Sequence, residues 1–410
     1  MALTTLHISE LGSQGDGVAD HEGRKVFVAL ALPGETVTAE VNGERAKLVA
    51  VTKASPERVG QRCSHYGECG GCSLQHLADP AYLEFKRRQV VAALSFQKIE
   101  TPVDPVIAAP PRSRRRAVFA AARTGKTVVV GFHGRRSHQI VPIRDCAVVT
   151  PGLLALLPKL ERLAAVAAPP KDALTITATE TVTGFDVALT GVTQGFPADG
   201  RVKLTQLAGE LGLARLAING EVAMEMSQPA LRAGTAMLTP PPGGFLQACE
   251  FSEAAMLKLV QEAIGDARRI VDLFSGAGTF SLPLASSATI HAVESDEAAI
   301  AALDRAARRT QGIKPVTTEK RDLFRRPLIK EELKRFDAAV IDPPRAGAEA
   351  QSRQLAGSSI KRIAMVSCSA STFARDLRIL LDGGYKLKRV APIDQFLWSP
   401  HIEIVAILER

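Results

Sequence analysis

Cys368 is the residue of this chain whose type and setting point most directly to chemistry. It stands in Met365-Val366-Ser367-Cys368-Ser369-Ala370-Ser371-Thr372-Phe373. An apolar, strand-like run from Ile363 to Val366 ends there in a small-residue turn, and a helical pattern follows. A thiol at a strand end beside a helix N-terminus is presented at a sheet edge. That setting lowers a thiol's pKa and favours the nucleophilic thiolate. A single cysteine is more often a packing residue, so the reading depends on two further segments. They are Val271-Asp272-Leu273-Phe274-Ser275-Gly276-Ala277-Gly278-Thr279-Phe280 and Ile341-Asp342-Pro343-Pro344-Arg345.

The first segment reads as a strand running into a glycine-rich turn and then a helix. Gly276 and Gly278 would let the backbone approach a ligand. A nicotinamide site would want a third glycine at 281, where this chain has Ser281. Glu294 closes the next strand pattern and can accept hydrogen bonds from ribose hydroxyls. Asp322 follows the region where a third strand should end. The turn and the two acids suit S-adenosylmethionine. The glycine turn alone is a weak signal; with Asp342-Pro343-Pro344-Arg345 at the end of a further strand it becomes strong.

Amino methyltransferases with a similar Asp/Asn-Pro-Pro place an aromatic next, to stack on the target base. Here Arg345 follows, and a cysteine waits one strand later, which favours carbon methylation. The C5 of a pyrimidine is a poor nucleophile until a thiolate adds to C6 and turns the ring into an enolate. Once C5 is methylated, a base must remove its proton before the thiol can leave. Glu403, in Trp398-Ser399-Pro400-His401-Ile402-Glu403, is the leading base, with His401 as competitor. By spacing alone both could simply punctuate a C-terminal strand, Ile402 to Leu408.

Four of the six cysteines form a separate pattern: Cys63, Cys69 and Cys72 lie close together, and Cys146 is far downstream. In a chain expected in the cytoplasm a disulfide framework is disfavoured, so these thiols read as metal or cluster ligands. Four can hold zinc or an iron–sulfur cluster. Zinc ribbons offer two close pairs, so three plus one resembles a 4Fe–4S site more. The radical S-adenosylmethionine spacing is absent, which favours a structural or RNA-shaping cluster. Cys249 is left over and reads as packing.

The elements that must position these groups suggest three units. Residues 1–58 alternate short β-rich runs with glycine turns, the pattern of a small OB-like barrel. Residues 59–240 carry the cysteine loop, an amphipathic helix from about Pro80 to Leu94, and a mixed α+β region. Residues 241–410 alternate strand and helix, implying a parallel, Rossmann-like sheet with helices on both faces. No apolar run spans a membrane, and no signal peptide opens the chain. The net charge of +8 is modest. Its basic clusters, at Lys86-Arg87-Arg88, Arg112 with Arg114-Arg115-Arg116, Arg135-Arg136 and Arg308-Arg309, suit a polyphosphate backbone. A monomer bound to RNA is expected.

Together these segments resemble the RNA 5-methyluridine methyltransferases, specifically the iron–sulfur branch that includes the 23S ribosomal RNA uracil-C5 enzymes. Gly15-Asp16-Gly17-Val18-Ala19 and Leu32-Pro33-Gly34-Glu35 resemble a TRAM domain. Cys63 through Cys69-Gly70-Gly71-Cys72-Ser73-Leu74-Gln75-His76 is similar to that family's cluster loop, and Phe245-Leu246-Gln247 to its F-x-Q element. The resemblance implies a class I methyltransferase domain and a 4Fe–4S cluster on Cys63, Cys69, Cys72 and Cys146. It implies cofactor contacts from Gln247, Phe274, Gly276, Gly278, Thr279, Glu294, Asp322 and Asp342, with Cys368 as nucleophile and Glu403 as base. Three departures stand out. Ser369-Ala370 replaces the usual Asn-Pro after the nucleophile, which should loosen the turn. Cys249 replaces an Asn, and Trp398-Ser399-Pro400 is atypical. The alternatives are a transfer-RNA uracil-C5 methyltransferase and a non-catalytic iron–sulfur RNA-binding protein.

Overall fold

The computed structural model describes residues 3–125 and 127–410. At the N-terminus five strands, Leu3–Leu11, Gly17–His21, Arg24–Val28, Thr36–Asn42 and Arg45–Lys53, close into a barrel. Alternation along each strand turns Leu6, Ile8, Val26, Val28, Val37 and Ala39 inward as its core. The middle of the chain forms a seven-stranded sheet in the order Glu221–Glu225, Arg215–Ile218, Gly184–Thr190, Leu174–Thr181, Arg116–Thr124, Thr127–His133, Ile140–Pro142. The helix Pro151–Ala167 covers it, its stripe of Leu153, Leu156, Leu157, Leu160 and Leu163 fully buried.

The C-terminal sheet has eight strands. Val316–Lys320, Thr289–Glu294, Arg269–Leu273, Ala338–Ile341 and Arg362–Ser367 run parallel in that spatial order. Glu403–Glu409 joins antiparallel to Arg362–Ser367, and Lys386–Asp394 pairs antiparallel beyond it. The eighth strand, Ile107–Ala108, comes from far upstream and covers what would be an open edge. The helix Asp79–Phe96 also leaves the middle of the chain. Its Val90 and Leu94 share a core with Val271, Ile341, Ile363 and Phe373. The hairpin Leu231–Ala233/Ala236–Leu238 packs in a second core with Met256, Phe280 and Val340. A helix, a strand and a hairpin encoded before residue 240 therefore pack on the later sheet.

The basic clusters correct another expectation. Lys86 is fully buried against Asp394. Arg87 and Arg88 pair with Glu84 at 2.8 and 3.0 Å. Arg115 pairs with Glu253 at 2.8 Å. Arg135 and Arg136 reach across to Asp16 of the barrel at 2.9 and 2.5 Å. Much of the charge that reads as an RNA face in sequence is used inside the molecule, since clustering along a chain does not reveal which acids the fold brings near. Among the described residues no helix is long and apolar enough to cross a membrane.

Candidate active site and thiol loop

The parallel strands end on one side of the C-terminal sheet, where open α/β sheets bind ligands. Phe274 follows the strand Arg269–Leu273 directly and holds φ of +62°, an uncommon conformation for an aromatic residue. Its ring lies 5.4 Å from that of Phe324. A Cβ on Gly276 would meet nothing, so that side of the turn is open. On Gly278, at φ +100°, a Cβ would come within 2.5 Å of Leu303. Glycine at 278 therefore also lets the following helices pack close to the turn. Thr279 is half-buried beside it.

The acids gather at the same side. The Glu294 carboxylate accepts from the Gly276 N–H at 3.0 Å and from the Asp296 N–H at 2.8 Å, tying the turn to the next strand. Asp322 accepts from the Phe324 N–H at 2.9 Å. Asp272 is fully buried; Ser281 donates to its Oδ2 at 2.6 Å, while Oδ1 and the Ser275 hydroxyl have no partner among the described residues. Ser281, at the position where a nicotinamide site would have glycine, thus anchors an acid. Burial pushes Asp272 up to about 7. It also raises Asp342, with the Asp272 charge adding to the effect.

Sheet register brings the two chemical candidates together. Ser367 pairs with Ile404 in an antiparallel ladder. Cys368 and Glu403 follow that last pair, near enough for the Glu403 charge to act on the thiol. On the other flank Ile341 pairs with Met365, so Asp342 ends the adjoining strand. Glu403 is only 4% exposed. Burial, then the Asp342 charge, push it up to about 8, opposed by Gln395, Arg345 and Lys86. The Gln395 amide links Glu403 Oε1 at 3.4 Å to Gln247 Oε1 at 2.8 Å. Gln247 is thus joined to Glu403 through Gln395.

Cys368 is half-buried. Burial, then Glu403 and Asp342, push its thiol up to about 11, and Arg345 alone among nearby side chains pulls it down. The thiol is thus raised, by burial first and then by two carboxylates, where its place at a helix N-terminus leads us to expect it lowered. The turn lacks proline but is held by hydroxyls. The Ser367 hydroxyl donates to Ser369 O and accepts from the Ser369 N–H, both at 3.3 Å, and Thr372 donates to Arg345 O at 3.1 Å. The His401 ring accepts from Arg345 Nη2 at 2.9 Å. Arg345, Cys368, Ser369 and His401 line a cleft of about 920 Å³ whose other walls are the helix Asp79–Phe96 and the barrel.

The thiol loop lies elsewhere. Cys63, Cys69, Cys72 and Cys146 all line one cavity of about 250 Å³, with Arg114 and His65. Burial first, then the other thiols, push Cys72 up to about 12. Gly70 donates to His133 O at 2.9 Å, and a Cβ there would touch the same oxygen, so glycine lets the loop lie against that strand. Among the described residues no group of three or more His, Cys, Asp or Glu converges on a point suited to a single metal ion. Cys249 is buried, with its Sγ 3.2 Å from Ser113 Oγ and its N–H directed to Gln395 Oε1 at 3.4 Å.

Residue-level reading of the sequence missed Gln395, Lys86 and Tyr82 at this site. Lys86 reaches Asp394 across more than three hundred residues, and nothing local in the chain announces that contact.

Comparison with known proteins agrees with this architecture. Residues 239–410 match the family model described as tRNA (Uracil-5-)-methyltransferase, and residues 4–48 match the TRAM domain. An uncharacterised RNA methyltransferase of Rhizobium meliloti is 48% identical over 100% of both chains. The 23S rRNA (uracil(1939)-C(5))-methyltransferase RlmD of Halomonas elongata is 34% identical, covering 99% of this chain and 89% of that one. The Pyrococcus abyssi tRNA (uracil-54, C5)-methyltransferase, solved with S-adenosyl-L-homocysteine, is 22% identical, but its fold superposes with a TM-score of 0.76 over 98% of this chain and 99% of that one. With a whole-length relative at 34% identity and the family match over its C-terminal sheet, this chain belongs to the S-adenosylmethionine-dependent RNA uracil-C5 methyltransferases.

Proposed function

We propose that this enzyme forms 5-methyluridine in 23S ribosomal RNA, with Cys368 as nucleophile and Glu403 as base. The observation that carries the reading is the ladder of Arg362–Ser367 with Glu403–Glu409: beyond its last pair, Ser367 with Ile404, come Cys368 and Glu403, near enough for the Glu403 charge to act on the thiol, with Asp342 at the end of the adjoining strand. Cys368 adds to C6 of the uracil, and the pair of electrons moved to C5 makes that carbon nucleophilic. S-adenosylmethionine supplies the methyl group. Glu403 then takes the C5 proton, the C5–C6 double bond re-forms, and the Cys368 thiolate leaves. Gln395 and Gln247 hold the base in place. Phe274, Gly276, Thr279, Glu294, Asp322 and Asp342 would hold the cofactor, and the partnerless Asp272 Oδ1 and Ser275 Oγ beside the turn fit a polar ligand there. The target RNA follows the Halomonas relative rather than the archaeal fold neighbour, whose 22% identity speaks to fold alone.

The thiol loop fits a 4Fe–4S cluster on Cys63, Cys69, Cys72 and Cys146. Its donors are four sulfurs lining one cavity, the donor set such a cluster takes. Such a cluster would neutralise thiolates that otherwise repel one another and would fix the loop.

A mass-spectrometric map of 5-methyluridine in RNA from cells with and without this gene tests the function. Loss of one site in 23S RNA is expected. Loss in transfer RNA would overturn the substrate, and no change in either would overturn the function.

A further inference from the structure

We infer that Lys86 is a positioning residue for the base: from the helix Asp79–Phe96 it holds the segment that carries Gln395 and leads into Glu403. The inference rests on the mechanism proposed above. The Lys86 side chain is 0% exposed, although its neighbours Arg87 and Arg88 face solvent. Its Nζ donates to Asp394 Oδ1, to Phe396 O at 3.1 Å and to His401 O at 2.7 Å. Three acceptors match the three N–H bonds of an ammonium; a neutral amine would leave one unserved. Asp394 also receives the Tyr82 hydroxyl at 2.5 Å and the Phe396 N–H at 3.1 Å, the complement of a carboxylate.

The same helix face grips the segment twice more. The Tyr82 hydroxyl accepts from the Trp398 N–H at 2.7 Å, and Gln89 donates to Pro400 O at 3.3 Å. From the other side the backbone N–H groups of Ser73 and Leu74, in the thiol loop, donate to Trp398 O at 2.7 and 2.9 Å. The segment needs holding, because Trp398 sits at φ +53°, where a bulky side chain is disfavoured.

Stability alone does not call for a charge at this place, since a buried ion pair is often no better than an apolar pair of the same volume. The charge does reach the base. The groups facing Glu403 are Asp342 and Arg345 from the loop after Ala338–Ile341, Cys368 from the end of Arg362–Ser367, Gln395 from its own hairpin, and Lys86 from the helix. Lys86 and Arg345 are the cations acting on it, and both favour its ionised, proton-accepting form.

The test uses the full enzyme and RNA from cells lacking this gene. The covalent protein–RNA adduct is followed on denaturing gels after one turnover, across pH. In Lys86→Met/Asp394→Asn neither partner is left as an unpaired buried charge. Lys86→Gln removes the charge but keeps two donors, and serves if the double variant does not fold. The expected result is a folded protein with KM for RNA and cofactor near wild type. Its adduct decay should be roughly 10- to 100-fold slower, and the acid limb of the decay rate should move to higher pH. A folded variant whose adduct decays at the wild-type rate with the wild-type limb would overturn the inference and leave Lys86 a core ion pair. Failure of Glu403→Gln to trap an adduct would instead count against the underlying mechanism.

Discussion

The cleft around Cys368 and the loop of four thiols handle the same functional group in opposite ways. Both bury their sulfurs and both raise thiol pKa values, Cys368 to about 11 and Cys72 to about 12. Around Cys368 the opposing charges belong to Glu403 and Asp342, groups that can themselves exchange protons, and Arg345 supplies a cation. Around Cys72 they belong to other thiols. A nucleophile has to be a thiolate only during turnover, so it can rest protonated among groups that titrate with it. A ligand thiol has to stay deprotonated, and a ring of thiols reaches that state only around a bound cation. The contrast matches the proposed reading, with reaction at one site and architecture at the other.

The comparison breaks most sharply at the nucleophile. Cys368→Ala should lower methyl transfer by about 10⁴-fold or more, while binding of S-adenosylhomocysteine and the unfolding midpoint stay at wild-type values. Label transfer to RNA and calorimetry read the two halves. Glu403→Gln should slow turnover by about 10²- to 10⁴-fold and accumulate a covalent RNA adduct on denaturing gels, because methylation proceeds and elimination does not. Normal turnover in that variant would remove Glu403 from the mechanism.

The pH dependence should be graded rather than all-or-none. Glu403 must be ionised to take a proton, and its pKa is raised to about 8. Turnover is therefore expected to rise as pH increases through that value, with a further gain toward the Cys368 value of about 11. A rate that falls over the same range would contradict both assignments.

The loop should behave differently. Cys72→Ala is expected to lose the broad visible absorbance and reduce bound iron from about four atoms per chain, with weakened folding and only a secondary loss of activity. Loss of zinc rather than iron would replace the cluster. The smallest effect concerns stability. With a folded pKa raised from 4.5 to about 8, Glu403 binds its proton more tightly in the native state. That contribution is present below 4.5 and is lost as pH rises through 8. The unfolding midpoint of Glu403→Gln should accordingly vary less over this window than that of wild type.

Much of the architecture was legible because it is written locally. Short apolar runs at Arg269–Leu273, Thr289–Glu294 and Ala338–Ile341, alternating with helical patterns and each ending at a turn with an acid or glycine, mark strands of a parallel sheet. The spacing of Cys63, Cys69 and Cys72 is equally local. Less legible were the basic clusters, because the acids that neutralise them, Asp16, Glu253 and Asp394, lie at distant positions in the chain. The donation of Ile107–Ala108 to the far edge of the C-terminal sheet left no periodic signal, since two residues are too few to show one.

The sequence by itself determined which groups this protein has for chemistry: a thiol at a strand end, a carboxylate beyond the next turn, a glycine turn flanked by acids, and four ligand-type cysteines. Those are properties of residue type and short spacing. Only the tertiary structure decided their state. It brought Cys368 near Glu403 at the end of an antiparallel ladder and buried the thiol beside carboxylates, which together raise its pKa. It also sent Lys86, from a helix more than three hundred residues away, to the segment that holds the base. Register and electrostatic fields depend on which segments meet in space, and no local stretch of chain contains that information.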